Sequence, residues 1–62
     1  GIVEKDSLVG KRVIGSYFNT ETQEYEQIEG EVDYIFIRVN NTYVVVNGKE
    51  MSLEDIEKVF RD

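Results

Sequence analysis

Gly30-Glu31-Val32-Asp33-Tyr34-Ile35-Phe36-Ile37-Arg38-Val39 is the stretch on which the fold turns. Read as an extended chain, its apolar residues change parity partway along. Ile28, Gly30 and Val32 share one face with Tyr34, whereas Ile35, Ile37 and Val39 lie on the other. Side chains alternate strictly across a strand, so a core that passes from even to odd positions needs a bend or bulge near Asp33–Ile35. The long run from Tyr25 to Val39 is therefore expected to divide into two segments that bend around a barrel.

Downstream, Thr42 to Val46 is another apolar run rich in β-branched residues. Asn40-Asn41 before it suits a tight turn, because asparagine tolerates positive φ. Asn47-Gly48 after it is the strongest hairpin signal in the chain, with Lys49 to Met51 pairing back. Ser52 then caps a helical turn, with Asp55 three residues on and Leu53 and Ile56 on one face. From Glu57 to Arg61 a continued helix and a short final strand both remain open. As a strand, that segment would not bring both Val59 and Phe60 to the core.

Upstream, Leu8 to Phe18 is β-like, with Val9, Val13, Ile14, Tyr17 and Phe18 interrupted by Gly10 and Gly15. Glycine within a strand marks a bulge, a bend or close packing. Asn19 to Glu24 is polar and reads as a loop or wide hairpin turn. Residues 1–7 form a loose lead-in to a single domain over 8–62. The expected core is Leu8, Val13, Val32, Ile35, Ile37, Val44, Met51, Leu53 and Ile56.

Composition sets the bounds. A chain of 62 residues makes one domain that buries only about 60% of the surface it exposes unfolded. It has no cysteine and no histidine, which removes disulfides, thiolate and imidazole metal ligands, and the usual general base. No apolar run approaches the roughly 20 residues of a membrane span. Lacking a secretory leader and disulfides, the chain reads as cytoplasmic. Thirteen acidic residues against 7 basic give a net charge of −6, which argues against phosphate-backbone binding. The sequence carries no phosphate-cradling glycine loop and no nucleophile elbow. The expectation is a non-enzyme with no cofactor, no metal and no small-molecule substrate.

Leu8-Val9-Gly10-Lys11-Arg12-Val13, Gly30-Glu31-Val32-Asp33-Tyr34-Ile35 and Val46-Asn47-Gly48-Lys49-Glu50-Met51 with Ser52-Leu53-Glu54-Asp55-Ile56 together resemble small SH3-like barrel modules. The pattern is most similar to the tudor-like barrel of the bacterial flagellar hook-capping (hook-scaffolding) protein, with the PRC-barrel as a second resemblance. It spans Leu8 to Val59, and its motifs are structural. The resemblance implies a five-stranded antiparallel barrel with one short helical turn, serving as an assembly module in a bacterial or phage-type structure.

Three surface features invite a functional reading. Tyr34, Phe36, Tyr43 and Val45 are apolar residues left over once one strand face has filled the interior. They form either a contact surface for a protein partner or a second copy, or a patch covered by Ile2-Val3 or Phe60. Glu29, Glu31 and Asp33 alternate along a strand. They are either a solvated face or a strip by which an acidic regulator occupies a basic, nucleic-acid-binding surface. Tyr17, Phe18 and Tyr25 flank the polar loop. They either pair across strands or, as tudor-type barrels do, form a cage reading modified peptides through cation–π attraction.

Overall fold

A computed structural model describes residues 8–61; the lead-in expected over 1–7, with its Ile2-Val3 cover, lies outside the described residues. The sequence pattern yields five strands: β1 (Arg12–Asn19), β2 (Glu24–Arg38), β3 (Asn41–Val46), β4 (Lys49–Ser52) and β5 (Ile56–Val59). A single 3-10 turn, Leu53–Asp55, separates β4 from β5. Ser52 Oγ accepts from the Glu54 N–H at 3.2 Å, which caps that turn. The open question after Glu57 resolves as strand, ending at Val59. All pairings are antiparallel, in one sheet of order β4-β3-β2-β1-β5.

β2 is one 15-residue strand serving two partners. Its Glu24–Glu31 part pairs with β1, and its Val32–Arg38 part pairs with β3. Register shifts between Val32, opposite Val46, and Tyr34, opposite Val45. Asp33 is the extra residue of a bulge at the parity change. The bulge lets Val32, 1% exposed, and Ile35 both face the core while Tyr34 turns outward.

Asn47 and Gly48 have φ of 52° and 77° and join β3 to β4 as a left-handed two-residue turn. The β2–β3 turn differs from the Asn40-Asn41 expectation. Arg38 pairs with Asn41, so Val39 (φ 50°) and Asn40 (φ 67°) make the turn. The core pair Ile35–Val44 sets that register, and it overrides the local preference for asparagine at both turn positions.

The two edges of the sheet, β4 and β5, are linked by only three residues. A flat five-stranded sheet would hold its edges about 19 Å apart, whereas four chain steps reach at most about 15 Å. The sheet is therefore curled. Gly15 marks the close approach: a Cβ there would lie 2.5 Å from Met51 Sδ and 2.7 Å from the Asp55 carbonyl oxygen.

The core inside this curl comprises Val13, Val32, Val44, Val46 and Met51, with Tyr17, Ile28, Ile35, Leu53 and Ile56 packed against it. Two expectations are corrected. Ile37 is 69% exposed rather than buried, because it opposes Thr42 on the tip side of the last core pair. Val45 is 5% exposed rather than outside, because it is short and lies on a central strand between Tyr34 and Glu50. Leu8, expected in the core, is only half-buried.

Candidate binding surfaces

The outer face of the β2–β3 hairpin gathers Tyr34, Phe36 and Tyr43, which the register places in adjacent rows. Phe36 and Tyr43 oppose each other directly and stack at 5.3 Å and 18°. Tyr34 tilts against Phe36 at 6.3 Å. The Arg38 guanidinium sits 5.1 Å from the Phe36 ring and 5.8 Å from Tyr43. Its other partner is Glu50 at 3.5 Å, and both ends of that pair are more than half exposed, so the pair adds little. Phe36 and Tyr43 are half-buried within this stack, which leaves Tyr34 as its open ring.

Beyond the stack the hairpin exposes Ile37 and, at its tip, Val39, which is 84% exposed. Neither was singled out as a surface residue by sequence reasoning. Strand alternation puts both on the odd, inward face, and that face outruns the core. A β-branched residue with φ of 50° is strained, because its Cβ crowds the following carbonyl. Positive φ could not be read from a valine.

Tyr17, Phe18 and Tyr25 do come together. Phe18 and Tyr25 are register partners whose rings meet edge to face at 5.2 Å and 68°. All three line a cleft of about 270 Å³ whose opposite wall holds Tyr43, Glu50 and Asp55. A neighbouring hollow runs between the β1–β2 loop and the Gly48–Glu50 turn. Within it the Lys49 ammonium lies 5.4 Å from the Tyr17 ring centre.

Tyr17 donates its hydroxyl to Glu26 Oε1 at 2.9 Å, while Asn19 Nδ2 donates to Glu26 Oε2 at 3.1 Å. The hydrogen bond to the carboxylate raises the Tyr17 phenol above its ordinary value of 10.0, with desolvation and the Glu26 charge acting in the same direction. Asn19 Oδ1 also accepts from the Glu21 and Thr22 N–H groups at 2.9 and 3.3 Å, which shapes the loop.

Glu29, Glu31 and Asp33 are exposed but do not act as one row. Glu29 Oε2 accepts from Arg12 Nε at 2.8 Å, Glu31 stands opposite Arg12, and Asp33 is displaced by the bulge. A carboxylate that sequence reasoning passed over, Glu57 of β5, joins strands instead, accepting from Ser16 Oγ at 3.1 Å and Gln27 Nε2 at 3.4 Å. Only the long-range pairing of β5 with β1 creates that contact. Among the described residues, no three carboxylates converge as a metal site would require. No described helix is long and apolar enough to cross a membrane.

No protein-family model, curated protein or solved structure matches this chain.

Proposed function

We propose that this chain is a non-catalytic protein-interaction or assembly module built on an SH3-like barrel, and that it contacts its partner through the β2–β3 hairpin. The barrel reading is supported by the long bulged strand shared between two partners and by the 3-10 turn that precedes the last strand. The observation that carries the functional reading is the exposure of Tyr34, Ile37 and Val39 on one hairpin, at 56%, 69% and 84%. Tyr34 lies on the outer face of the hairpin and Ile37 on the opposite face, with Val39 at the tip, so a partner that wraps the end of the hairpin desolvates all three. Arg38 stands beside the rings with its guanidinium exposed, and arginine next to aromatics is enriched at protein contacts.

The test pairs two exposed positions with an oligomer assay and partner capture. Tyr34→Ser and Ile37→Ser should each weaken self-association in sedimentation, or retention of a captured partner, by about tenfold. Circular dichroism should stay unchanged, because neither side chain fills the core. Parent-like association by both variants would rule out the hairpin as the contact.

A further inference from the structure

One length of strand edge is left open beside the aromatic cleft. β1 pairs with β2 along its whole length, from Arg12–Glu31 to Asn19–Glu24. It pairs with β5 only from Val13 to Gly15. Before Ile56 the chain departs as the 3-10 turn, so among the described residues no strand pairs with the second edge of Ser16–Asn19. An unpaired edge is a template for another extended chain. The cleft lies along this edge: Tyr17 and Phe18 form its near wall, and β4, itself an edge of the sheet, forms the far one.

The charge of the slot selects its occupant. Glu50 and Asp55 line the cleft and Glu21 lines the adjoining hollow, on a chain of net charge −6. The one cation in the linings, Lys49, already rests its ammonium over the Tyr17 ring, which shows that this ring face can seat a cation. We propose that the slot takes an extended basic peptide segment of a partner protein. The segment adds a strand to the Ser16–Asn19 edge of β1 and lays a lysine or arginine side chain against the rings between Glu50 and Asp55. Main-chain pairing supplies affinity, and the acidic, ring-lined cleft supplies the preference for a cation. The far wall of this site shares Tyr43 and Glu50 with the hairpin's ring stack and its Arg38 ion pair, but Tyr34, Ile37 and Val39 lie outside it.

The probe is a capped heptapeptide of alternating lysine and valine, titrated into the whole chain and followed by amide chemical shifts. Saturable shifts are expected at Ser16–Asn19 and Lys49–Ser52. Joint substitution of Glu50→Gln and Asp55→Asn should weaken binding by about tenfold. A peptide methylated on alternate backbone nitrogens keeps the charge but cannot pair, and it should not bind. Tyr34→Ser should leave the affinity unchanged, which separates this site from the hairpin surface. The proposal is overturned if the glutamate counterpart of the peptide binds equally well, if the N-methylated peptide binds like the parent peptide, or if no saturable shift reaches the β1 edge.

Discussion

At Gly15 the requirement is the absence of a side chain, because any Cβ would press on Met51 Sδ and on the fixed Asp55 carbonyl. The methionine can yield, but the backbone oxygen cannot do so without moving the 3-10 turn. Gly15→Ala should therefore cost about 1–3 kcal/mol, measured as a lower urea midpoint with the slope unchanged. Tyr17 gives a different signature. Its phenol holds the proton more firmly when folded than when unfolded, because Glu26 accepts its hydrogen bond. The stability this contact adds is fully present below the ordinary phenol value of 10.0, and it is lost as pH rises through the raised folded value. The parent should lose stability above about pH 10 faster than Tyr17→Phe, a difference visible in urea midpoints taken across that range. Equal slopes would mean that the Tyr17–Glu26 bond does not form in solution.

The β2–β3 hairpin is where local chemistry and long-range packing disagree. Ile35 and Val44 lock the register, and the turn must then accept Val39 at a positive φ that asparagine would tolerate far better. Val39→Asn is expected to raise stability by about 1 kcal/mol while weakening partner or self-association. A variant that is both more stable and fully associating would show the valine to be incidental. The same element shows what a sequence can disclose. The Asp33 bulge was legible because strict alternation leaves a parity change no other remedy, and the Asn47-Gly48 turn was legible because its residues carry their own conformational preference. The Val39-Asn40 turn, the exposure of Ile37 and the burial of Val45 were not legible. Each depends on which strand lies opposite and where the core runs out. For the candidate sites, the grouping of Tyr17, Phe18 and Tyr25 followed from their flanking one loop. The far wall of their cleft and the engagement of Glu29 by Arg12 needed the folded pairing of distant segments.

On the scale of the whole molecule, a core of a few valines and one methionine leaves little stability in reserve. The curled sheet must therefore fold as one cooperative unit, without an independently stable half. The curl also brings the last strand back to the first: the Phe60 N–H donates to the Arg12 carbonyl at 2.9 Å. Between Arg12 and Phe60 the path of the polypeptide is thus nearly a loop, and an exposed turn such as residues 20–23 is a second place to open it. Joining residue 62 to residue 1 through a glycine-serine spacer and opening the chain within residues 20–23 should give a permutant with the parent's circular dichroism and a single unfolding transition. Such rewired chains would let fusion partners be attached beside the cleft instead of at the opposite seam.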